Sequence, residues 1–245
     1  MSINVIIMSR KQIVLATDLR STNIYHAKID EENSFEGKIF FNNVSKLYIF
    51  DPPHNFVAVS STGLGTLNGQ SFPYLLKKFE TTLPNKRLLI KEYAVRLSNF
   101  LVEEFNTSPK GKIPNPKINQ VIFKVVGFDA LRDTGLMYDL TIPNKSNPVE
   151  FAKGNFGVFV SGDGENAVQG MENFRKEYQA KIERKIQAAG KLGLPPSKTD
   201  IQILENLKNE EVPIQLMKID ELTHYAKTIV DFLSDTYRTC LQFAH

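Results

Sequence analysis

The chain has 245 residues, enough to bury a sizeable core as one large domain or two small ones. Its net charge of +3 is too small to argue for a nucleic-acid partner by itself, and its one cysteine, Cys240, excludes an internal disulfide and suits a reducing compartment. The opening MSINVIIMSRK breaks its apolar run at Ser9, Arg10 and Lys11, unlike a signal peptide, and no stretch approaches the roughly 20 apolar residues of a membrane span. The expectation is a soluble cytoplasmic protein with neither membrane nor nucleic acid among its partners.

In chain order, β-branched runs at 5–8 and 12–17, split by Ser9-Arg10-Lys11, predict a hairpin. The polar, acidic stretch 23–36 has no clear period and reads as a loop or ragged hairpin. Strands are expected at 38–41 and 46–50, split by Asn42-Asn43, then a turn at Asp51-Pro52-Pro53-His54-Asn55 and a strand at 56–60 that runs into the glycine-rich segment 62–69. Helical spacing of Tyr74, Leu75, Leu76 and Phe79 predicts a helix over 71–80. The recurrence of Tyr93, Leu97, Phe100, Leu101 and Phe105 predicts another over 89–105. Strands follow at 121–126, 136–142 and 156–161, then helices at 166–189, 201–209 and 219–240, the last containing Cys240. Strands, two helices, strands, then helices suit an α+β protein whose helices cover packed antiparallel sheets. With no clean linker and no internal repeat, the reading is a single domain over 1–245.

The chemistry concentrates near the N-terminus. Ser2 stands sixteen positions before Asp18, inside IVLATDLRST, which also carries Arg20. Lys46 opens the strand KLYIF, and VAVSSTGL leads to Gly63. Taken in order, these segments resemble the mature proteasome β subunits, a family of N-terminal-nucleophile (Ntn) hydrolases, and the bacterial proteasome-like groups HslV and Anbu. The likeness spans roughly residues 2–165. It implies a four-layer αββα sandwich and a peptidase of the threonine type, with serine in place of threonine and Met1 removed to free Ser2. By the same likeness Asp18, Lys46 and Gly63 would complete the catalytic set, and Arg20, Ser161, Gly162 and Gly164 would support it. Further implications are a homo-oligomer forming a ring or open helical ring, a peptide or unfolded-protein substrate, and no cofactor.

The chemistry accounts for those residue types. A serine hydroxyl is a weak nucleophile that needs an adjacent base, and a free α-amine, with a pKa of about 8, can serve as one. A lysine ammonium would hold the hydroxyl in reactive form, an aspartate would orient the lysine, and a glycine N–H would stabilise the oxyanion. The segment between Asp18 and Lys46 is longer than in the family, which makes Lys38 a rival for the lysine role; Lys46 is favoured because its spacing to Gly63 is closer to the family's. Residues 175–215 exceed the family length and read as a helical insertion, and the chain reaches His245 where the family's last strands would begin.

Other motifs carry less. The glycine run 63–69 lacks the Lys-Ser/Thr ending of a P-loop, Gly162-Asp163-Gly164-Glu165 lacks the ligands of a calcium loop and reads as a turn, and the four histidines have no metal-ligand spacing, so no metal is expected. The basic helix around 175–191 interleaves Glu177 and Glu183 and reads as a solvated face. Phe174, Tyr178, Ile182 and Ile186 recur at helical spacing on the same helix beside its charged face; one stripe can pack on the chain's own sheet, and the helix 166–189 is expected to contribute contacts between subunits. Two alternatives to the peptidase stay open: a catalytically silent scaffold, like the proteasome α subunits, and an amidase acting on a small molecule.

Overall fold

The computed structural model describes residues 3–19, 21–28, 34–41, 44–63, 65–107, 120–129, 135–143, 145–151, 156–161, 164–233 and 238–244, with the backbone alone for 21–28, 34–41, 145–146, 164–166, 232–233 and 238–244. Its architecture is mixed, α+β. The predicted N-terminal hairpin is present as β1 (Asn4–Met8) and β2 (Gln12–Asp18). β1 also pairs with β12 (Gly157–Ser161), and β2 with β13 (Arg238–Ala244), giving an antiparallel four-stranded sheet in the order β12-β1-β2-β13. A five-stranded sheet runs β11 (Lys145–Phe151), β10 (Gly135–Ile142), β9 (Val121–Phe128), β6 (Val57–Gly63), β5 (Leu47–Ile49). Two small hairpins, β3 (Ser21–Lys28) with β4 (Ser34–Phe41) and β7 (Thr66–Leu67) with β8 (Gln70–Ser71), stand apart from these sheets.

Side-chain alternation sorts the core into three clusters. Val57 and Val59 of β6 turn to one side, where they meet α1 (Phe72–Glu80) and α2 (Ile90–Asn106) through Leu75, Phe79, Tyr93 and Leu97. Ala58, between them, turns the other way and joins Val126, Phe128 and Met137 against Ile6, Met8, Ile13 and Leu15 of the four-stranded sheet. The opposite face of that sheet, through Val5, Ile7, Val14 and Ala16, meets α3 (Gly164–Lys191), α4 (Lys198–Lys208) and α5 (Ile219–Leu233). β1 is apolar at nearly every position because both of its faces are covered.

Several expectations are corrected. The helix expected over 219–240 ends at Leu233, and 238–244 form β13 instead, with Cys240 on a strand opposite Ala16. The free edge of β2 offers a row of backbone donors and acceptors, and the β-prone run RTCLQFA satisfies them; helical periodicity in 219–233 hid the switch. Of the two alternatives for 23–36, loop or ragged hairpin, the described residues take the hairpin, β3–β4; strand β11 has no counterpart in the sequence reading, and Gly164 opens α3 where a turn was expected. Tyr74, grouped on one helical face with Leu75, Leu76 and Phe79, is 57% exposed, whereas Phe72 is in the core with the other three. The stripe Phe174, Tyr178, Ile182 on α3 is buried within the chain's own core, so it is not a surface for association.

Candidate functional site around Asp18 and Lys46

The site lies at one end of the two large sheets. Cross-strand register sets Asn4 at the start of β1 beside Thr17 near the end of β2 and Ser161 at the end of β12. On the facing sheet the residue preceding β5, Lys46, accepts a hydrogen bond at its carbonyl from the Ser61 N–H of β6 (2.9 Å), and β6 continues for two more residues to Gly63. The polar ends of both sheets therefore open on the same place.

Asp18 is the junction. Its Oδ1 accepts the Ile3 N–H at 2.8 Å and the Lys46 ammonium at 2.7 Å. Both side chains are nearly withdrawn from water, Asp18 at 1% and Lys46 at 7% exposure. Burial lowers the Lys46 pKa from the ordinary lysine value, while the hydrogen bond and the charge of Asp18 oppose that shift. Such a lysine gives up its proton more readily than a surface lysine, yet it is held by a partner in one orientation.

Gly63 closes β6 opposite Val121 with φ of +103°, a left-handed conformation that side chains resist. A Cβ there would collide with the Gln120 carbonyl oxygen, so the fold itself requires glycine at this point. The residue is exposed. Ser161 is half-buried at the end of β12, and Gly164 is the first residue of α3. Ser2, Arg20 and Gly162 lie outside the described residues. The rival Lys38 sits on β4, opposite Ile24 in the separate β3–β4 hairpin. It is Lys46 whose ammonium meets Asp18.

Three polar residues at the site were not singled out from the sequence. Asn4, Thr17 and Ser60 are all but fully buried. The Asn4 Nδ2 donates to Ser60 Oγ at 3.2 Å, and the Thr17 hydroxyl donates to the Asp18 carbonyl at 2.6 Å. The signal available was their position as polar residues inside otherwise apolar strands, INVII, VLATD and VAVSS. A second ion pair sits nearby on the five-stranded sheet, where Lys124, cross-strand from Ser60, donates to both carboxylate oxygens of Asp139 at 2.9 Å. Among the described residues no group of three or more His, Cys, Asp or Glu could hold a metal ion, and no helix is long and apolar enough to cross a membrane.

No family model matches the chain, and no curated protein matches it by sequence. Among solved structures, it is similar to Anbu (ancestral beta-subunit) from Yersinia bercovieri, with a TM-score of 0.45 and 16% identity, over 71% of this chain and 65% of that one. The match thus spans slightly less than two thirds of that protein, and at this level of superposition no residue role and no assembly is carried over from it.

Proposed function

We propose that this chain is an N-terminal-nucleophile hydrolase that cleaves peptide or other amide bonds, with Ser2 as nucleophile after removal of Met1. The observation that carries the reading is the shared Asp18 Oδ1, which holds the backbone of Ile3 and the buried Lys46 ammonium at one point, a single residue from Ser2. A buried, oriented lysine next to the start of the chain is what a terminal hydroxyl nucleophile needs. The ammonium stabilises the alkoxide character of the hydroxyl, and the free α-amine, with a pKa of about 8, receives the proton. Asp18 keeps the lysine in place. The Gly63 N–H is assigned to the oxyanion that forms as the amide carbonyl is attacked. Arg20, Ser161, Gly162 and Gly164 are assigned supporting roles around the nucleophile.

The same reading takes the stack of helices, sheet, sheet and helices, separated by the three core clusters, as a four-layer αββα sandwich forming one domain. It includes a cytoplasmic location, where a methionine aminopeptidase acts on a small second residue such as serine. Assembly of several copies into a ring or open helical ring, with peptides or unfolded chains as substrate, follows from the need to seclude a reactive nucleophile. It does not follow from α3, whose apolar stripe is internal.

Intact mass and activity test this together. The purified chain should lack methionine, carry a free amine and hydrolyse unstructured peptides, and Ser2→Ala should abolish the hydrolysis. Retained methionine, an acetylated amine, or hydrolysis that survives in the variant would overturn the reading. A processed chain with no hydrolysis would make it a silent scaffold.

A further inference from the structure

The facing surfaces of the two large sheets are apolar at one end and polar at the other. Ile6, Met8, Ile13 and Leu15 meet Ala58, Val126, Phe128 and Met137. By alternation the same two faces continue to Asn4 and Thr17 on one sheet and to Ser60 on the other. Apolar contacts hold two sheets together without fixing their relative position closely, because dispersion and burial are non-directional. A hydrogen bond is directional. The Asn4–Ser60 bond, 3.2 Å long between side chains each 1% exposed, ties the four-stranded sheet to the five-stranded one, and the Asp18–Lys46 pair ties them again beside it.

The pair is not explained by stability. A buried neutral hydrogen bond contributes only about 1 kcal/mol net, and an unfilled buried acceptor costs a comparable amount or more. Among the described residues the Asn4 Oδ1 has no hydrogen-bond partner. Two small apolar residues would serve the packing as well. What the pair does is connect two particular strands. β1 begins two residues after Ser2, and β6 ends three residues after Ser60, at Gly63.

We infer that Asn4 and Ser60 are a positioning pair, which sets the strand carrying the nucleophile against the strand carrying the oxyanion donor. The inference rests on the hydrolase reading above. Attack on a bound carbonyl requires reacting atoms about 3–3.5 Å apart, and a misplacement near 1 Å costs up to about 100-fold in rate. Neither residue touches substrate in this scheme; both act through Ser2 and Gly63.

The test is peptide hydrolysis by Ser60→Ala, Asn4→Ala, the double variant and Ser60→Thr, with urea unfolding and amide hydrogen exchange on each. Each alanine variant should lose about tenfold in kcat with KM unchanged. The double variant should lose no more than the worse single one, and Ser60→Thr, which keeps the hydroxyl, should recover most of the rate. Additive losses, unchanged kcat, or a loss that appears only as a smaller folded fraction overturns the inference. Hydrogen exchange separates its failure from that of the parent reading. Should hydrolysis prove independent of Ser2, equal acceleration of exchange at the Ile3 amide in Ser60→Ala and Asn4→Ala still supports the pair. Unchanged exchange overturns it.

Discussion

At the scale of single residues, Lys46 sits between two opposed influences, of which burial is the larger and Asp18 the smaller. Its pKa is thus lower folded than unfolded. Between those two values the unfolded chain binds more protons, so stability rises with pH there, and the cost of the buried ammonium is present at neutral pH and relieved toward 10.5. Lys46→Met should remove this increment. It also takes away the ammonium bound to Asp18 Oδ1, and removing one partner of a buried ion pair costs about 3–5 kcal/mol. Urea unfolding should show the variant less stable at pH 7, with the gap widening as pH rises toward 10.5. On the hydrolase reading, Lys46→Ala should lower kcat by about 100-fold or more, and the alkaline limb of the wild-type pH–rate profile should fall below the ordinary lysine range. Gly63 makes a separate prediction. Gly63→Ala imposes a side chain at a φ of +103° and against the Gln120 carbonyl, and should destabilise the fold by about 1–3 kcal/mol, read from the urea midpoint. The requirement for glycine there stands whether or not its N–H meets an oxyanion.

At the scale of elements, α2 is capped from outside its own sequence. The N–H of its first residue, Ile90, donates to Asp129 Oδ1 at 2.6 Å, from the residue just after β9, while the Glu92 carboxylate accepts the Leu89 N–H at 3.0 Å. A carboxylate at the positive end of a helix is favourable, and this one is 5% exposed. Asp129→Ala should cost about 1–2 kcal/mol in thermal or urea unfolding, more than Glu92→Ala, whose carboxylate bond is at the surface. Helices α1 and α2 were legible because their apolar residues recur at a period that few other structures share. β11 was not, because KSNPVEF alternates poorly and contains a proline, and its strand character comes from pairing with β10. β13 was absorbed into a helix for the same reason: only the open edge of β2 distinguishes it.

At the scale of the whole molecule, the fate of α3 decides how much of the surface is left for association. Phe174 stacks on Tyr225, with ring centroids 4.2 Å apart, and on Tyr178 at 5.4 Å, and it is 1% exposed. Ile203 and Leu207 of α4 and Leu222 of α5 share that cluster with β1 and β2. Phe174→Ala should therefore destabilise the chain by about 3–5 kcal/mol, a core effect visible in its unfolding midpoint. Sedimentation of the folded variant should match that of the wild type. A change of assembly without loss of stability would place this stripe at an interface after all.

The sequence by itself determined the N-terminal hairpin and the first two helices, because each rests on local signals, alternation and helical period; Asp18, Lys46 and Gly63 were singled out by a family resemblance, and their roles belong to the proposal. Only the tertiary structure decided what meets what. Asp18 ends β2 of one sheet and Lys46, 28 positions on, immediately precedes β5 of the other; their contact exists because the two sheets face each other. The Asn4–Ser60 bond, with 56 positions between its partners, and the burial of the α3 stripe were likewise settled by packing. A side chain's pattern along the chain says that it has a partner, whereas the identity of that partner is fixed by which faces the fold brings together.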